Sequence, residues 1–73
     1  MAITVNVNDL TKRSITLNLQ ANDAIENIKQ ILHDKYGFAN NKIWFLVYNG
    51  KRLENGKTLS DYNIGNKSTI YII

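Results

Sequence analysis

His33 and Asp34 are neighbours in the chain, and an imidazole beside a carboxylate is a pairing that can orient a general base. Such a base needs a nucleophile to act on, and no serine or cysteine motif accompanies it; the 73 residues contain one histidine and no cysteine. A metal site needs roughly three or four ligands, which one histidine without thiolates does not supply. There is also no glycine-rich phosphate loop. The expectation is a protein that is not an enzyme, with no catalytic residues, no metal, no cofactor and no small-molecule substrate.

Surface chemistry is the stronger signal. In Trp44-Phe45-Leu46-Val47-Tyr48 and again in Ile70-Tyr71-Ile72-Ile73, both alternating sets of side chains are apolar. A strand sends successive side chains to opposite faces, so either Trp44, Leu46 and Tyr48 or Phe45 and Val47 face the interior, and the same choice holds for Ile70 and Ile72 against Tyr71 and Ile73. A sheet covered by a helix on one side should read apolar inward and polar outward. One apolar set is therefore left facing outward, and exposed apolar patches of that kind mark partner binding.

The elements that must position these residues follow from periodicity. Ile3, Val5 and Val7 alternate with polar residues, as do Ile15, Leu17 and Leu19, which predicts two strands joined as a hairpin. The intervening turn has no glycine, so its left-handed position falls to Asn8 or Asp9. Ile25, Ile28, Ile31, Leu32 and Tyr36 then recur at helical spacing, predicting a helix over 24–36 that ends at Gly37. Asp23, with Glu26 three positions on, reads as its capping box. A connector over 38–42 leads to a strand over 43–48, the turn Asn49-Gly50, a short edge strand and irregular crossover over 51–64, and a closing strand over 68–73. The order β-β-α-β-β-β is an α+β layer pair. Tyr62 in the crossover reads as structural, its ring buried and its hydroxyl on nearby backbone.

Size and charge bound the function classes. Seventy-three residues allow one small domain whose core must pack well, since no disulfide can support it. The longest apolar run, residues 43–48, is far short of the roughly 20 residues that span a bilayer, and the N-terminus lacks a signal pattern. No membrane association is expected; the expected location is the cytoplasm, the nucleus or both. Nine Lys plus Arg against six Asp plus Glu give a net charge of +3, but the charges are scattered. Nucleic acid is thus not the expected partner, with Lys12-Arg13 and Lys51-Arg52 its sole candidate contacts.

The stretch Gly50-Lys51-Arg52-Leu53-Glu54-Asn55-Gly56-Lys57-Thr58-Leu59-Ser60-Asp61-Tyr62-Asn63-Ile64 closely resembles the second half of ubiquitin. Lys67-Ser68-Thr69-Ile70-Tyr71-Ile72-Ile73 is similar to the last ubiquitin strand, Ser14-Ile15-Thr16-Leu17 to the second strand, and Ile25-Glu26-Asn27-Ile28-Lys29 to the start of the helix. The resemblance covers essentially the whole chain and implies a β-grasp fold, a mixed sheet wrapped on one helix. It also implies which set faces outward: Phe45, Val47, Tyr71 and Ile73, with Leu10 on the first turn. Lys51 matches the position that most often accepts chain linkage in ubiquitin, and Asn66 replaces another acceptor.

There are departures from the family pattern. The first turn is about two residues longer and lacks its glycine, a residue is added near Ile43, and Ala39-Asn40 replace paired prolines. Ala24 replaces the capping hydroxyl, Phe45 an arginine, and Asn55 the aspartate that pairs with the lysine at position 29, which sends Lys29 toward water. The diglycine tail used for conjugation is not present after Ile73. The resemblance thus implies a monomeric protein-interaction domain that docks onto ubiquitin-binding domains or proteasome receptors. A second reading is a conjugable modifier or precursor unit met by conjugation machinery, its tail outside this chain; a third is an RNA-binding domain of the same shape.

Overall fold

The computed structural model describes residues 2–38 and 44–73. Strands β1 (Ala2–Asn8) and β2 (Ser14–Gln20) form an antiparallel hairpin, followed by helix α1 (Ile25–Tyr36), β3 (Leu46–Tyr48), β4 (Lys51–Arg52), a 3-10 turn (Ser60–Tyr62) and β5 (Ser68–Ile72). The sheet order is β2-β1-β5-β3-β4, with β1 and β5 parallel and every other pairing antiparallel. This is the β-grasp arrangement expected from the sequence.

The alternation of the sequence becomes the inner face of the sheet. Ile3, Val5, Val7, Ile15, Leu17 and Leu19 are buried from the hairpin, Leu46, Ile70 and Ile72 from β3 and β5. Ile25, Ile28 and Leu32 meet them from α1, and Leu53, Leu59 and Ile64 fill in from the crossover. Among the described residues no polar side chain is buried, so burial of aliphatic groups, each worth about 1.5–3 kcal/mol, carries the stability.

Tyr62 takes its structural place: its ring packs on the core, and its hydroxyl accepts a 2.9 Å bond from the Glu54 amide. The crossover is fastened to the helix start by the Ser60 amide donating to Ala21 O at 2.8 Å and the Ile25 amide donating to Lys57 O at 2.9 Å. Gly37 closes the helix in the left-handed conformation, its amide donating to His33 O and the next amide, of Phe38, to Leu32 O, both at 3.2 Å.

The helix start differs from the sequence reading. Ala24 is the cap residue and makes no side-chain cap bond. Asp23 turns back instead, its carboxylate accepting from the Gln20 amide at 2.7 Å, while Glu26 reaches across to accept from the Gly56 amide at 3.0 Å. Both carboxylates are taken up by backbone amides of other segments, and no side-chain cap bond forms.

The hairpin turn differs too. Its left-handed residue is Lys12, at φ 67, not Asn8 or Asp9. Asp9 acts through its carboxylate, which accepts from the amides of Thr11 and Arg13 and from the Thr11 hydroxyl at 2.9, 2.9 and 2.7 Å. Gathering those donors around Asp9 leaves Lys12 to reverse the chain. Strand β3 is shorter than the run predicted over 43–48, and the part of that run at Ile43, with the connector over 39–42, lies outside the described residues.

Candidate protein-docking surface

Burial resolves the parity of β3 and β5. Leu46, Ile70 and Ile72 are the inward set, so Phe45, Val47, Tyr71 and Ile73 lie on the outer face of the sheet. The ladder extends one residue past β3, because Phe45 and Ile73 exchange both amide–carbonyl bonds at 2.9 Å. Val47 stands directly opposite Tyr71. The four side chains thus form two adjacent cross-strand pairs on one surface, Phe45 with Ile73 and Val47 with Tyr71.

Their exposure is uneven. Tyr71 and Ile73 are 50% and 56% exposed, whereas Phe45 and Val47 are half-buried. Arg52 covers Phe45: it sits across from Val47 on β4, and its guanidinium carbon lies 3.5 Å from the ring centroid. The sequence offered Phe45 as an arginine replacement; the structure shows an aromatic and an arginine stacked at the edge of the surface. Asn8 pairs with Tyr71 in the parallel register, so β1 leads out beside the patch toward Leu10, which is 80% exposed.

Lys51 is exposed on edge strand β4, beside a polar hollow lined by Tyr48, Asn49, Asp61, Tyr62 and Asn63. Asn66 is a structural residue, its carboxamide oxygen accepting from the Thr4 amide at 2.8 Å. His33 and Asp34 are 3.1 Å apart, with Gln30 also donating to that carboxylate. Among the described residues no group of three or more His, Cys, Asp and Glu side chains is arranged to hold a metal, and no helix is long and apolar enough to cross a membrane.

Two further basic–aromatic contacts escaped sequence reasoning. Arg13 stacks 4.6 Å from Phe38 while its guanidinium donates to Tyr36 O at 2.7 Å, and Lys29 lies 5.8 Å from the Trp44 ring. Trp44 and Phe38 are themselves 6.4 Å apart. Lys29 therefore has a ring beside it while staying partly exposed. Its partners are distant in the chain, and nothing in local spacing announces them.

The charged groups divide by sign. Asp9, Asp23, Glu26 and Asp61 spend their carboxylates on backbone amides of turns. Asp61 is held below the usual carboxylate range by the Thr58 amide and then its hydroxyl, Asp9 chiefly by the Thr11 hydroxyl, and Asp34 by the Gln30 amide and then His33. Among the described residues no lysine or arginine is ion-paired to a carboxylate. Arg52, opposite Val47, presents a positive charge at the patch, while Lys51, opposite Tyr48, lies on the other side of the edge strand.

The comparisons with known proteins agree with this architecture. A family model described as "Ubiquitin family" matches residues 3–73. The chain is also similar to the "NEDD8-like protein RUB3" of Arabidopsis thaliana, at 30% identity over 71 residues covering 94% of this chain and 87% of the relative. With a family match running through all five strands and the helix, the chain belongs to the ubiquitin family.

Proposed function

We propose that this ubiquitin-like domain works by noncovalent docking, its outer sheet surface of Phe45, Val47, Tyr71 and Ile73 receiving an apolar segment of a protein partner such as a ubiquitin-binding domain or a proteasome-type receptor. The supporting observation is that β3 and β5 are apolar on both faces while one face has no covering element among the described residues, leaving Tyr71 and Ile73 half exposed. Arg52 flanks that surface without a carboxylate partner, which favours a partner with acidic residues beside its apolar ones. The cytoplasm and nucleus are where such partners would meet it.

The test is a titration of the native chain and Val47→Asp against a panel of ubiquitin-binding domains. Val47 lies outward, so the aspartate leaves the fold intact and places a charge at the centre of the patch; binding is expected to fall at least about tenfold. Unchanged affinity across the panel would remove the patch from the function.

A second reading, a NEDD8-like modifier, is favoured by the likeness to the NEDD8-like relative over nearly its whole length. Expression of the full parent protein with an N-terminal tag separates the two. Covalent adducts that survive boiling in detergent support the modifier, and their absence with retained receptor binding supports the docking domain.

A further inference from the structure

We propose that β2 pairs with β2 of a second copy of this chain, antiparallel about a two-fold axis at Leu17, joining two sheets into one. Strand β2 ends the sheet, and its outer neighbour position is empty among the described residues. Its free backbone groups can be assigned from printed hydrogen bonds. The Asp9 amide donates to Arg13 O at 3.0 Å, so 9 and 13 form a hydrogen-bonded pair of the β1–β2 ladder. Pairs in an antiparallel ladder alternate, which makes Ser14, Thr16, Asn18 and Gln20 the non-hydrogen-bonded positions toward β1.

Two independent contacts agree with that parity: the Thr4 amide, opposite Asn18, points the other way to Asn66, and the Gln20 amide leaves the ladder for Asp23. The amides and carbonyls of Thr16 and Asn18 therefore face the open edge.

That edge lacks the usual guards. Folded proteins protect a terminal strand with charge, proline, a bulge or shortness. Ser14-Ile15-Thr16-Leu17-Asn18-Leu19-Gln20 is seven residues long with neither charge nor proline, and its outer-face residues Ser14, Thr16, Asn18 and Gln20 are all exposed. At the opposite end of the sheet, by contrast, β4 is two residues, both basic.

The occupant is set by self-complementarity. Reversing β2 about Leu17 places Thr16 opposite Asn18, Ile15 opposite Leu19 and Leu17 opposite itself. Thr16 and Asn18 then become a hydrogen-bonded pair, in phase with their free groups, and Leu17 a non-hydrogen-bonded one. A threonine across from an asparagine is the pairing this strand already makes with β1, where the Thr4 hydroxyl donates to Asn18 at 3.0 Å and Thr16 to Asn6 at 3.1 Å. The two-fold repeats that pairing twice and keeps both helices on one face. It also brings Lys12 and Arg13 of one copy to the end where Asp23 leaves the strand of the other. The contact is one strand wide, which places it among weak, reversible interfaces.

Sedimentation velocity of the intact chain from about 20 μM to about 2 mM tests the idea, with amide exchange of Thr16 and Asn18 followed over the same range. Thr16→Lys with Asn18→Lys puts lysines face to face twice across the axis, while Thr16→Lys with Asn18→Glu puts lysine opposite glutamate. Circular dichroism checks that each variant is folded. The expected result is a concentration-dependent dimer in the native chain, weakened roughly tenfold or more by the double lysine variant and restored by the lysine–glutamate one. A native chain that stays monomeric throughout, or a dimer indifferent to both variants, overturns the proposal. So does amide protection that arises with an added extended peptide but not with concentration, which would assign the edge to another protein.

Discussion

Arg52 lies over the face of Phe45, guanidinium carbon to ring centroid 3.5 Å, where the sheet's outer surface meets its short edge strand. A cation on that ring is held by the quadrupole of the aromatic and keeps its N–H donors turned outward. Phe45 is thereby half covered without being lost to the surface, and the patch acquires a positive rim.

A double-mutant cycle with Phe45→Leu and Arg52→Ala measures this contact. The expected coupling is about 0.5–1 kcal/mol in urea unfolding, the range for an exposed cation–π pair. Additive losses would mean that the stack contributes nothing beyond its two separate residues.

Tyr62→Phe removes the acceptor for the Glu54 amide while keeping the ring against the core. The cost should be about 0.5–1.5 kcal/mol, the net worth of a hydrogen bond whose donor can turn to water. Thermal unfolding reads it as a drop of about 4–8 °C for each kcal/mol in a domain of this size.

Lys12→Gly should stabilise the hairpin. Lys12 holds φ 67, a region where a side chain costs about 1 kcal/mol and glycine does not. Glycine's greater unfolded-state freedom takes back part of that, leaving a gain of about 0.5 kcal/mol in chemical denaturation.

Acid should weaken the fold through its hydrogen-bonded carboxylates. Asp9, Asp34 and Asp61 are all held below their ordinary value of 3.8, so their ionised forms favour the folded state. The stability they supply is fully present above that value and is lost as pH falls through their lowered values. Asp9→Asn and Asp61→Asn should flatten the decline of stability below about pH 4 relative to the native chain. An unchanged acid limb in both variants would separate these turns from acid unfolding.

Much of this fold was legible because its core obeys two simple periods. Ile3-Val5-Val7 and Ile15-Leu17-Leu19 alternate, Ile25-Ile28-Leu32 recur at helical spacing, and Asn49-Gly50 supplies the two left-handed residues of the turn before β4. What was hidden depends on which group captures a side chain. The glycine-free turn looked as though Asn8 or Asp9 must bend backward, but the Asp9 carboxylate gathers its own amides and shifts the reversal to Lys12. Asp23 and Glu26 have capping spacing, yet Gln20 and Gly56 offer better-placed donors. At the surface, parity left two alternatives for β3 and β5, and it took the packing of Leu46, Ile70 and Ile72 to decide between them. The stacks of Arg13 on Phe38, Lys29 near Trp44 and Arg52 on Phe45 join distant positions, so no short pattern encodes them.

The inward use of the carboxylates has a kinetic side. The net charge of +3 would draw an acidic partner in well before contact, with the hydrogen-bonded carboxylates of Asp9, Asp23, Glu26 and Asp61 held in fixed places within that field. Steering of that kind quickens encounter more than it prolongs residence, and it fades as ionic strength shortens the reach of the field. On the docking reading proposed above, the rate of encounter would therefore answer to salt more than the lifetime of the complex would.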